Sequence, residues 1–187
     1  MVTMLKQIII TYWQVLCFQR SPEDTPSSTM MSGIALCLAL AAAILQYQLA
    51  SFLTTGTAST LLILLITLVQ VSLFAAYGRL VLWSNNASHH FFRLMTCWLM
   101  MLFFLDVISS LVMGLLLGVG HMGTGQTLAQ FTQTLGLAFG IVFSIWQVTF
   151  IVQLYRVLTR QNFLLALLIY IGWLGVNYLF LLMIKSV

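Results

Sequence analysis

The chain has 187 residues, of which 61% are hydrophobic and only 5% charged, with a mean hydropathy of +1.07. A soluble domain carries about 25% charged residues, so this composition excludes a water-soluble globule and leaves lipid as the natural solvent. The net charge of +4 is dispersed; it reads as topology information and not as the clustered basic face that nucleic acid requires.

Residues 1–20, MVTMLKQIIITYWQVLCFQR, place Thr3, Lys6, Gln7, Thr11 and Gln14 on one side of a helical wheel. Met4, Leu5, Ile8, Ile9, Tyr12, Val15 and Leu16 fall mainly on the other. Such an amphipathic helix is expected to lie in the membrane interface. A cleaved signal peptide would need an unbroken apolar stretch and a small-residue cleavage site. Gln and Thr interrupt this stretch, so cleavage is not expected. Residues 21–29, SPEDTPSST, form a polar linker. Ser21 before Pro22 suits a helix cap with proline at the first helical position, and Pro26 stops anything longer than a turn.

Residues 30–187 divide into five apolar spans: 30–53, 58–83, 91–118, 128–155 and 163–184. Each exceeds or approaches the roughly 20 residues that cross a bilayer. The breaks are Thr54–Thr57, Ser84–Asn86, the glycine-rich 119–127 and the basic stretch Arg156–Asn162. The fold class is therefore all-α, a polytopic membrane protein with five transmembrane helices and an N-terminal interfacial helix. Lys6 and Arg20, then Arg79 and Arg93, then Arg156 and Arg160 flank alternate ends of the spans. The positive-inside rule then puts the N-terminus in the cytoplasm and the C-terminus on the opposite side. The sequon Asn86-Ala87-Ser88 falls in a cytoplasmic connector, where glycosylation does not occur, and is read as chance.

Span three holds Asp106, the one acidic residue inside a long apolar segment. A carboxylate at mid-bilayer costs about 2.5–3.5 kcal/mol. No Lys or Arg lies at its depth, so the expectation is a neutral carboxyl hydrogen-bonded by Ser109 or Ser110. Asp106, Ser110, Gly114 and Gly118 recur every four residues. Span four carries a matching row, Thr132, Gly136, Gly140 and Ser144. Small residues at this spacing allow close helix approach. A short turn centred near residue 123 predicts an antiparallel hairpin with Gly114 opposite Thr132, Ser110 opposite Gly136 and Asp106 opposite Gly140. Asp106 is read as part of a polar clamp in this packing face. The alternative is a proton or cation relay, with Gln46, Gln70, Gln130, Gln133, Gln147 and Asn177 along a polar path.

Other chemistry has little material. Cys17, Cys37 and Cys97 form no CxxC pair and read as small hydrophobes. His89-His90 and His121 read as interfacial polar residues; adjacent histidines on a helix diverge by about 100°, and no metal site is expected. The five tryptophans, with tyrosines such as Tyr77, Tyr155 and Tyr170, lie partly near span ends, which matches aromatic belts. No GxSxG, Walker loop or HExxH occurs, and Glu23 and Asp24 are adjacent in the linker. Neither enzymatic activity nor a cofactor is expected. The expected partners are the lipid bilayer and another membrane protein, or a second copy of the chain.

The layout of a polar N-terminal segment, five close spans and short connectors resembles the Yip family of small five-span membrane proteins. The closing third carries the resemblance furthest: SIWQVTFIVQLYRVL, then the basic TRQN, then ALLIYIGWLGVNYLFLL. The Asp-Leu-Tyr-Gly-Pro motif of the eukaryotic trafficking members is missing, so the resemblance implies a bacterial-type member without a Rab-binding role. It implies an inner-membrane location and carries over no site residues.

Overall fold

The computed structural model describes the backbone of residues 2–53, 60–122 and 126–185, and the side chains of residues 6–49, 60–115, 134–180 and 182–183. These form α1 (Val2–Leu16), a 3-10 turn (Pro22–Asp24), α2 (Thr29–Leu53), α3 (Thr60–Ser84), a second 3-10 turn (Ser88–His90), α4 (Phe91–Met122), α5 (Gln126–Thr159) and α6 (Phe163–Lys185). The last five α-helices are long and apolar enough to cross a membrane. The architecture is that of a multi-pass integral membrane protein, as the sequence predicts.

The predicted element ends are corrected at three places. α1 stops at Leu16, short of residue 20. The amides of Phe18 and Gln19 turn back to the carbonyls of Val15 and Gln14, at 3.0 and 2.8 Å, which closes the helix with a Schellman motif. The second correction is at the glycine-rich break, where α4 runs on to Met122 and α5 begins at Gln126. Glycine in a helix costs about 1 kcal/mol, but a chain in lipid must bond its own backbone groups, which favours continued helix. Lastly, α5 runs through Arg156 to Thr159 and ends where Arg160 turns left-handed, with φ 53°. Asn162 then caps α6, its Oδ1 accepting from the Leu165 amide at 2.9 Å.

The linker behaves as its residues dictate. Ser21 Oγ accepts from the Glu23 amide at 3.3 Å, Pro22 opens the 3-10 turn, and the turn ends before Thr25. Ser28 Oγ then accepts from the Met31 amide at 3.2 Å and starts α2. The predicted breaks at Thr54–Thr57 and residues 123–125, and the His121 side chain, lie outside the described residues.

Among the described residues, the core lies toward the end where α4 begins and α5 ends. Phe74 of α3 stacks on Trp98 of α4, with ring centroids 3.8 Å apart. Trp173 of α6 meets Phe74 edge-on at 5.0 Å. Leu94 to Met101 and Phe150 to Val152, with Leu154, Tyr155, Leu158, Ala166 and Tyr170, extend the same core. Trp98 and Trp173 are thus core residues and not part of an aromatic belt, whereas Trp83 is 72% exposed and suits the belt. Arg79, Arg93, Arg156 and Arg160 all fall at or near the helix ends that bound this core. The Gln161 amide donates to Asn85 Oδ1 at 3.0 Å and ties the two connectors of that end together.

α1 lies against this end. Trp13 packs on Phe104 of α4 with centroids 5.2 Å apart. Trp146 of α5 donates its indole N–H to the Leu16 carbonyl at 3.1 Å. Phe104 is eighteen residues from Met122, about 27 Å along the axis, and Trp146 is twenty residues from Gln126, about 30 Å. That is one hydrocarbon thickness. Both contacts lie nearer the end where α4 begins and α5 ends than the end where α4 stops and α5 starts.

Candidate functional site

The two rows of small residues can now be placed. Asp106 is the sixteenth of the 32 residues of α4, at its middle. Ser109 is half-buried, Ser110 is buried and Gly114 is exposed. On α5, Gly136 is half-buried, and Gly140 and Ser144 are exposed. The side chains of Gly118 and Thr132 lie outside the described residues.

The tight approach predicted for these rows is not formed where it is described. A Cβ added at Gly114 or Gly140 would meet nothing within 4 Å. Ser144 turns its hydroxyl back to the Gly140 carbonyl at 2.8 Å, within its own helix. The reason is that α4 spends its main packing face elsewhere, on α2. Ser32 Oγ of α2 lies 2.8 Å from Thr96 Oγ1 of α4, near the first turn of both helices, so the pair runs parallel. Ala35, Ala39 and Ala42 are buried along α2. Their spacing of four and three residues is a small-residue face of the same kind. The run IALCLALAAA carried that signal. A search confined to sequence-adjacent spans could not pair it with α4.

Close approach at glycine occurs at two other positions. A Cβ on Gly78 of α3 would lie 2.7 Å from Leu94 Cδ2, and a Cβ on Gly172 of α6 would lie 2.5 Å from the Tyr77 hydroxyl. Tyr77 donates that hydroxyl to the Ile169 carbonyl at 2.5 Å and so clasps α6 to α3.

The expected hydrogen bond from a serine to Asp106 is also absent among the described residues. Ser110 Oγ is buried without a partner. Residues one turn apart have Cβ atoms about 5–6 Å apart, and the short arms of Asp and Ser do not span that gap here. Asp106 has no ion-pair or hydrogen-bond partner among the described residues. The expected polar path does not assemble around it. Gln70 Nε2 points to Asn177 Oδ1 at 3.5 Å, joining α3 to α6. Gln46 and Gln147 are half-buried, and Gln130 and Gln133 lie outside the described side chains.

The best-connected polar groups instead hold the interfacial end. Tyr12 is buried, and its hydroxyl donates to the Pro26 carbonyl at 2.5 Å. Burial raises its phenol above the ordinary range. Thr25 is buried beneath it, donating to the Pro22 carbonyl at 2.7 Å, with its Oγ1 3.6 Å from Cys97 Sγ. Cys97 is buried while Cys37 is exposed, so the cysteines act singly. His89 and His90 pack ring on ring at 3.9 Å, and Arg93 Nη1 lies 3.3 Å from His90 Nδ1. Among the described residues no three His, Cys, Asp or Glu side chains gather into a metal-binding group.

The fold and this site define a five-span helical membrane protein with an interfacial α1 locked onto one end. Comparison with protein families, with characterised proteins and with solved structures found no match.

Proposed function

We propose that the chain is a non-enzymatic membrane scaffold or accessory subunit that binds a transmembrane helix of another membrane protein. The observation that carries this reading is the open row on α5. Gly140 and Ser144 are exposed, flanked by exposed Leu137, Ile141 and Ile145, with no bundle helix filling the space over Gly140. Such a row lets a second helix approach closely, and among the described residues nothing lies within 4 Å of a Cβ added at Gly140. The Yip-like layout supports the same reading. We place the protein in a bacterial inner membrane, with the basic end and N-terminus cytoplasmic and the C-terminus on the opposite side.

A second reading, a small-solute or ion permease, is favoured by one observation. The half-buried Asp106 and the buried, unpartnered Ser110 hydroxyl lie one turn apart within the membrane, and an intramembrane acid often marks a transport path.

Mild-detergent capture with mass spectrometry, run on Gly140→Leu and Asp106→Asn in parallel, separates them. The scaffold reading expects Gly140→Leu to release the captured partner at unchanged Tm, with Asp106→Asn retaining it. Capture unaffected by Gly140→Leu, or a lost solute flux in Asp106→Asn vesicles, goes against it. Recovery of the same chain alone identifies self-association in place of a foreign partner.

A further inference from the structure

The end of α1, the turn after it and the last third of α5 enclose a pocket of about 250 Å³. Its lining is divided. Arg20, Ser21 and Gln153 give it polar groups, and Phe18, Phe150 and Val157 give it an apolar wall. Arg20 is exposed and makes no ion pair among the described residues, although Glu23 and Asp24 follow three and four residues on.

Depth decides what such a pocket meets. The part of α5 apolar enough to cross a membrane is Thr134–Thr159, and Phe150 and Val157 lie 16 and 23 residues from its start, about 24 and 35 Å along the helix. The hydrocarbon layer is about 30 Å thick, and the bilayer with its headgroups about 40–45 Å. On that scale Phe150 lies at the edge of the acyl region and Val157 in the headgroup layer, so the pocket straddles their boundary. Phe18 adds an independent sign. It occupies the left-handed position of the Schellman motif, φ 60°, where glycine is usual, and it is 45% exposed. An aromatic ring held there at a conformational cost, 6.4 Å from the Phe150 ring, suits an interfacial anchor in the pocket wall.

We propose that this pocket holds the phosphate of an anionic phospholipid. Arg20 supplies the charge, Ser21 and Gln153 supply hydrogen bonds, and the upper acyl carbons lie along Phe18 and Phe150. Arginine suits the role because its planar donors match phosphate oxygens. The proposal is independent of the scaffold reading, since neither Gly140 nor Asp106 takes part.

The test uses the full-length protein in mild neutral detergent, supplied with phosphatidylglycerol, phosphatidylcholine or inorganic phosphate. Retained lipid is read by native mass spectrometry and stability by Tm. Phosphatidylglycerol is expected to be retained over phosphatidylcholine and to raise Tm more than inorganic phosphate does. Arg20→Gln is expected to weaken phosphatidylglycerol retention about fivefold and to leave the Tm without lipid unchanged. Arg20→Lys is expected to keep a weaker preference, reduced further by salt. Equal retention of the two lipids by the unaltered chain overturns the proposal, as does an undiminished preference in Arg20→Gln. Inorganic phosphate matching phosphatidylglycerol in its effect on Tm overturns the lipid as the source of the phosphate.

Discussion

Ser32 and Thr96, sixty-four residues apart in the chain, bring their hydroxyl oxygens to 2.8 Å across the α2–α4 contact. The shorter bond, Thr96 Oγ1 to the Phe92 carbonyl at 2.6 Å, takes the Thr96 proton, so Ser32 donates across the contact and Thr96 accepts. Because the contact joins the fourth residue of α2 to the sixth of α4, two helices that pack extensively on each other, it sets them parallel and in register. Interhelical hydrogen bonds in membranes contribute about 0.6 kcal/mol on average. A double-mutant cycle of Ser32→Ala and Thr96→Ala should therefore give a coupling near that value. Cysteines at the same two positions should cross-link under mild oxidation; failure to do so would break the register.

The glycines divide into two groups, and stability should follow the division. Gly172 lies under the Tyr77 hydroxyl, while Gly140 faces open space. Overpacking a filled site costs about 1–3 kcal/mol. Gly172→Val should lower the Tm in detergent and Gly140→Val should leave it nearly unchanged. Tyr77→Phe, which loses the bond to the Ile169 carbonyl, should make Gly172→Val milder, because part of the clash is with that hydroxyl oxygen.

The contrast shows what the sequence made legible. Span number, helical class and the clustering of Arg79, Arg93, Arg156 and Arg160 at one end follow from hydropathy and charge, which act residue by residue. The close packing expected at Gly140 is not formed, because small-residue spacing reports that a helix can be approached and does not report by which neighbour. Ala35, Ala39 and Ala42 have the same spacing logic as Gly136 and Gly140, and the structure buries the three alanines and leaves the space over Gly140 open. Trp98 and Trp173 were misplaced for a related reason. An aromatic near a span end suits either the headgroup belt or a packed core, and only the stacking of Phe74 on Trp98 decides it.

Phe18 offers a test of the α1 terminus. A non-glycine residue in the left-handed region costs about 1–2 kcal/mol. Phe18→Gly and Phe18→Ala both remove the ring, but only the first relieves the backbone. Phe18→Gly should therefore be the more stable of the two by about 1 kcal/mol, measured as the difference in unfolding midpoint. Equal stabilities would mean that the left-handed conformation is not kept in solution.

Among the described residues, Trp146 ties α1 to α5 by a hydrogen bond to the Leu16 carbonyl at 3.1 Å. That carbonyl belongs to the last turn of α1 and has no intrahelical donor of its own to spare. Trp146→Phe keeps much of the aromatic bulk and deletes the donor. The loss of one such bond costs about 0.5–1.5 kcal/mol, enough to shift a local opening without unfolding the bundle. Cys17, half-buried beside this contact, should then label faster with a water-soluble maleimide, while the buried Cys97 stays protected. Equal acceleration at both cysteines would instead indicate general loosening, and no change at Cys17 would show that the packing of Tyr12, Val15 and Leu16 alone holds α1 in place.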